Sequence, residues 1–316
     1  MSLWDRRLIV ITGKGGVGRS TLSTTIALAA GNAGRRVCVV ELYGLGHIAH
    51  LFGKKRSYKP VTIHPGVDLV SLTPHDAVAD FGRRKLRVGG LMSLLFRSRI
   101  IRGFIDGVPG LHDLVQLGKI EDMLNNPRLG DNVYDHVLLD APATGHGLTM
   151  LSSARTMYDM TRVGPFADLA HMIEEFLDDR EQTAFLLASL PEILPISETL
   201  QLISSIKADW NHLAAVLVNQ VRPSPLPHPE LWPALHQALI DSGDESLRQL
   251  ATLGQAAIAR HNQQNQVLTS FAVEATEIAG HALPVLHVPR IASGSPTPTD
   301  LDKLSGSLYE ALSEVP

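Results

Sequence analysis

The chain has 316 residues, of which 44% are hydrophobic and 19% charged, with a formal net charge of −4. That length accommodates one large α/β domain or two modest ones, and the composition belongs to a folded globular protein rather than a disordered one. The slight acidity excludes a whole-molecule field that would draw nucleic acid or an anionic membrane, and no apolar run reaches the roughly 18 residues that cross a bilayer.

The opening residues, MSLWDRRLIVITG, enter a strand without the longer apolar core and small-residue cleavage site of a signal peptide, so the cytoplasm is the expected compartment. Residues 7–12 (RLIVIT) form a short β-branched apolar run suited to a parallel strand buried on both faces. A glycine-rich turn follows, then helix formers over 20–33 that stop at Gly34. The next buried strand is VCVVE, residues 37–41, and it holds the only cysteine, Cys38, in a position expected to be inert. Further strands are expected at 67–72, 136–140, 184–190, 214–220 and 284–288, with helical stretches between nearly all of them. Such alternation implies a parallel sheet with helices on both faces. Two stretches, about 75–130 and 147–182, have helix-like spacing and no convincing strand, and read as helical insertions. The second contains Met150, Met157, Met160 and Met172, which suit helix packing or a pliable apolar groove. The segment 222–230 (RPSPLPHPE) is proline-dense and must be an exposed loop.

The chemistry concentrates in Gly13-Lys14-Gly15-Gly16-Val17-Gly18-Arg19-Ser20-Thr21. Glycines after a buried strand let successive N–H groups curl toward an anion, and the helix beginning near Ser20 adds its positive end. Ser20 can place a hydroxyl on Mg²⁺ and Thr21 can reach an inner phosphate. Arg19 stands where the usual phosphate loop has lysine. It keeps the charge but presents it as a bulky planar fork. The second element is His136-Val-Leu-Leu-Asp140, a buried strand that ends in a carboxylate at the ligand edge of a parallel sheet, where Asp140 can support Mg²⁺ through water.

The extra lysine early in the loop, Lys14, resembles the signature lysine of the deviant P-loop ATPases. The run Asp140-Ala-Pro-Ala-Thr-Gly-His146 is similar to the Asp-Thr-Ala-Pro-Thr-Gly-His signature of one branch, the arsenite-pump and tail-anchored-protein-targeting ATPases. Residues 190–200 (LPEILPISETL), 216–220 (VLVNQ) and 284–289 also resemble segments of that branch. The resemblance implies a three-layer α/β P-loop fold over 1–316, with a mostly parallel central sheet and a helical subdomain on one side. It implies ATP hydrolysis with Mg²⁺, and a dimer with a second copy or a paralogue, in which Lys14 reaches the partner's nucleotide. It further implies that Asn219 reads the adenine edge, that Pro289 leads into the adenine loop, and that an apolar protein client is possible. No nucleic acid is expected, and no integral membrane segment.

Where those ATPases carry an aspartate that positions the attacking water, the alignment of the second strand places Tyr43. A phenol cannot serve as the base at neutral pH. Glu41 is the substitute, displaced by two residues, roughly 6–7 Å along a strand, unless the alignment itself is shifted by two and Glu41 is the equivalent residue. Slow hydrolysis follows, or catalysis completed by a different subunit. The lack of further cysteines removes the metalloid sensor of the arsenite pump and the zinc staple of the targeting ATPase. Residues 83–105 carry seven basic side chains and no acid, a pattern of either a basic amphipathic helix or an ordinary helical cap. A membrane-partitioning relative is a further alternative, disfavoured by acidic residues over 299–314.

Overall fold

The apolar runs of the sequence become neighbours in one sheet. In chain order the strands are β1 (Leu8–Gly13), β2 (Val37–Glu41), β3 (Val61–His64), β4 (Val67–Ser71), β5 (His136–Asp140), β6 (Thr183–Ser189), β7 (Leu213–Val221) and β8 (Val285–Pro289). Their spatial order is β3-β4-β2-β5-β1-β6-β7-β8, and every pairing is parallel except that of β3 with β4. The computed structural model describes residues 2–44, 46–85, 107–108, 110–125, 134–209, 213–292 and 294–316. The basic stretch singled out at 83–105 lies mostly outside the described residues.

Strand β1 shows why the centre is apolar throughout. Leu8 and Val10 join one core cluster, and Ile9 and Ile11 join the other, because alternate side chains of a strand leave opposite faces of the sheet. One face is covered by α1 (Arg19–Asn32) and α11 (Pro298–Ser313). Thr297 and Asp300 form a capping box at the start of α11, and Leu301, Leu308 and Leu312 are buried. The apolar stripe of α11 is therefore spent on the core and unavailable to a lipid surface. At its end Tyr309 stacks on Trp4, with ring centroids 4.9 Å apart.

The other face carries the helical layer: α3 (Pro74–Lys85), α4 (Leu111–Asn125), α5 (Thr144–Leu151), α6 (Ser153–Thr161), α7 (Pro165–Asp178) and α8 (Ile193–Asp209). This is the predicted helical subdomain on one side of the sheet. Met150 and Met157 are buried in it and Met172 is partly buried, so three of the four methionines are packing residues, while Met160 is exposed.

Two features were not predicted. The edge strand β3 is only four residues long with no fully buried position, so it lacks an apolar signature, and it runs antiparallel. Beyond the proline-dense loop, which is exposed as expected, come α9 (Trp232–Asp241) and a single 35-residue helix, α10 (Glu245–Ala279). Gly254 of α10 lies so close to the Trp232 ring that a Cβ there would overlap it, and Trp232 Nε1 donates to Gln255 Oε1 at 2.7 Å.

Candidate nucleotide site

Parallel register delivers the predicted residues to one edge. Because β1 is flanked by β5 and β6, the loop leaving Gly13 rises between the ends of those strands, and Ile11 lies opposite Asp140. A cavity of about 480 Å³ opens there, bounded by the loop, by Glu41 to His47 after β2, and by Asp140 to Pro142 after β5.

The loop is fitted to its surroundings at two glycines. A Cβ on Gly13 would strike the Ala188 carbonyl of β6, and one on Gly18, which is left-handed at φ +88°, would strike the Asn219 side-chain amide. Gly15 and Gly16 meet nothing and leave the loop's inner surface open to an anion. Helix α1 begins directly after Gly18, and its free amides and positive end face the same space.

Ser20 Oγ donates to Asp140 Oδ2 at 2.6 Å, while Asp140 Oδ1 is buried with no hydrogen-bond partner. Burial pushes the Asp140 carboxyl up to about 6, against the opposing pull of the Ser20 hydroxyl and Arg19. A spare carboxylate oxygen beside a hydroxyl is a hard-oxygen pair of the kind Mg²⁺ takes, so the residues present fit that ion. Arg19 folds back over the site, its guanidinium donating to the Ala141 carbonyl, and burial lowers its pKa.

Lys14 does not line the cavity. Its Nζ pairs with Glu198 Oε1 of α8 at 3.2 Å, along the same sheet edge, and both side chains remain part-exposed. Asn219, at the end of β7, braces the loop from behind: its amide donates to the Val17 carbonyl at 2.9 Å, and its Oδ1 accepts the Gln220 N–H at 2.9 Å. Pro289 ends β8 beside Val221, so the last two strands bring Asn219 and Pro289 to the same edge as the loop.

The segment after β2 is the departure. Glu41 is buried, and its carboxylate accepts the His47 N–H at 2.6 Å, the Ile48 N–H at 3.3 Å and the Ser71 hydroxyl at 3.3 Å. It serves as an acceptor for the start of α2 (His47–Leu51), a helix whose Gly46 cap offers no side chain. Tyr43 adopts a left-handed backbone at φ +56° and turns its hydroxyl away to donate to Asp113 Oδ1 of α4 at 2.7 Å. Burial, together with that carboxylate, raises the Tyr43 hydroxyl far above the ordinary phenol range. His47 lines the cavity, a placement that the sequence could not show because it depends on the turn at Tyr43 and Gly46. Among the described residues, no cluster of three His, Cys, Asp or Glu side chains could hold a metal. The His146 side chain of the signature run lies outside the described residues.

The profile for anion-transporting ATPases matches residues 6–164. ATPase BagA of Mycobacterium tuberculosis (strain ATCC 25618 / H37Rv) is 31% identical over 319 residues, covering 96% of this chain and 91% of its own. The chain belongs to the anion-transporting ATPase family. More distant relatives include ATPase ASNA1 homolog 2 of Paramecium tetraurelia, 22% identical over 250 residues (67% of this chain and 75% of that protein). Another is the ATPase ASNA1 homolog of Entamoeba histolytica, 25% identical over 255 residues (68% and 76%). As a member of the family the chain is an ATP hydrolase, and its fold is the α/β P-loop fold that the sequence implied. Among the described residues, no helix is long and apolar enough to cross a membrane.

Proposed function

We propose that the protein is a dimeric, nucleotide-gated switch whose ATP hydrolysis is slow and whose states are read by an apolar protein client. In this reading the loop Gly13–Thr21 holds the phosphates, and Gly15, Val17 and Gly18 supply backbone amides. Ser20 and Asp140 would hold Mg²⁺, which when bound neutralises charge on the phosphates. Arg19 releases the Ala141 carbonyl to reach a phosphate. Asn219 and Pro289 border the base. The single observation that carries the dimer is Lys14: a loop lysine that turns along the sheet edge to Glu198 instead of into its own cavity is placed to serve a neighbouring one. Exposed Tyr158, Met160 and Val163, on and just after α6, support a client surface on the helical layer.

Single-turnover hydrolysis of MgATP by the purified chain, beside Lys14→Ala and with the mass in solution followed in parallel, tests this. Lys14-dependent turnover in a nucleotide-induced dimer is the expected result. Turnover by a monomer that ignores Lys14→Ala would remove the reading.

One observation favours a second reading. Both residues that the sequence offers for positioning water are engaged elsewhere: Tyr43 is committed to Asp113 and Glu41 to α2. A chain so equipped suits the nucleotide-binding half of a heterodimer with a paralogue that completes hydrolysis. Tight ATP binding without turnover, restored by adding the paralogue, would select this form.

A further inference from the structure

Helix α10 outruns the sheet that it packs on. Gln264 marks the level of the edge: its side chain accepts the Arg222 N–H and donates to the Arg222 carbonyl, both at 3.1 Å, one residue past the end of β7. The residues from Glu245 to Gln263 therefore stand beyond the carboxyl edge, an overhang of about 28 Å at the helical rise. That is the edge where the phosphate loop, Lys14 and Asp140 lie.

Below the edge, one face of α10 is core: Gln264, Leu268, Phe271, Ala275 and Ala279 are buried at three- and four-residue steps. The same steps carried back through the overhang land on His261, Ala257, Leu253 and Leu250. Leu250 and Leu253 are 53% and 66% exposed, although they continue the face that is sealed lower down. Helix α9 does not cover them, because Trp232 packs on the neighbouring face at Gly254 and Gln255. Lower on the same edge, a hollow of about 400 Å³ is lined by Arg222, Arg260 and Arg290 together with Ile193 and Leu194 at the start of α8, which stand 68% and 69% exposed.

We propose that the overhanging half of α10 is a dimerisation arm. Leu250 and Leu253 on the arm, and Ile193 and Leu194 lower down at the start of α8, seat a second copy of this chain docked against the nucleotide edge. The proposal rests on the dimeric reading above, and its occupant follows from position. Whatever receives Lys14 must approach this edge, and a body of this size there lies against the inward face of the arm. Two-fold symmetry makes the contact reciprocal, so each copy is held by the other's arm at opposite ends of the interface.

The test uses the full chain carrying Leu250→Glu and Leu253→Glu, with sedimentation velocity in a non-hydrolysable ATP analogue and Mg²⁺, and with binding of a fluorescent ATP analogue measured separately. Both side chains are exposed, so circular dichroism and nucleotide affinity should stay at the parent's level, while dimer dissociation rises at least about 30-fold. A dimer of undiminished strength in the double variant would overturn the arm and leave the switch standing, even if the variant lost retention on an apolar-peptide resin. A parent that stays monomeric at every nucleotide concentration would overturn both. Lys14→Ala separates the two losses, since it removes turnover while leaving the apolar contact intact.

Discussion

In the phosphate loop, apart from the Arg19 guanidinium, the groups that face the cavity are backbone amides and small hydroxyls, and the surroundings hold them still. Gly13 is pressed against β6, Gly18 against Asn219, and Val17 is tied by its carbonyl. In the segment after β2 the side chains carry the arrangement instead: Glu41 spends its carboxylate on α2, and Tyr43 spends its hydroxyl on α4. The difference teaches where function can drift. Phosphate recognition, in the reading proposed above, is written in backbone geometry and does not hang on whether lysine or Arg19 closes the loop. Water activation, in the same reading, depends on one side chain at one position, and the two candidates there, Glu41 and Tyr43, are both tied to neighbouring helices.

The largest effect that would sharpen this contrast is on turnover. Lys14→Ala should lower single-turnover hydrolysis about a thousandfold, as loss of a charge supplied in trans does, with ATP affinity changed by no more than about threefold. Next, Gly18→Ala forces a Cβ into the Asn219 amide at a left-handed position, and titration calorimetry should find ATP affinity reduced by about 100-fold. Tyr43→Phe deprives the buried Asp113 carboxylate of its donor and should cost about 1–3 kcal/mol in urea unfolding while leaving ATP affinity intact. Glu41→Gln keeps an acceptor for the His47 and Ile48 amides, so turnover within about threefold of the parent is expected. A collapse of turnover with ATP binding retained would break the comparison by making Glu41 the base.

A separate effect, on stability alone, concerns pH. The Asp140 carboxyl titrates near 6 in the fold, above its place in an unfolded chain near 4, so the penalty for ionising it is absent below about pH 4 and complete above about pH 6. This group alone should make nucleotide-free stability fall by about 3 kcal/mol as pH rises through that window. Asp140→Asn should flatten that slope in thermal melts.

The sequence disclosed most of the sheet because strands buried on both faces must be apolar through their centres, as VCVVE and HVLLD are. It disclosed the phosphate loop because glycine spacing after such a strand has few other uses. It could not disclose β3, whose four residues are all at least part-exposed, nor the Lys14–Glu198 and Tyr43–Asp113 contacts, which join residues far apart in the chain. Helix α10 escaped because its first half packs on no sheet. There Leu247, Leu250 and Leu253 are all exposed and the buried position is Ala251, so the pattern that organises 264–279 is blurred over 245–263.

That helix is also one unbroken piece, rooted in the core at Phe271 and braced at Trp232. A rod of this kind converts rotation at its root into travel at its tip. A tilt of about 10° displaces the far end of a 28 Å overhang by about 5 Å, one full turn of helix.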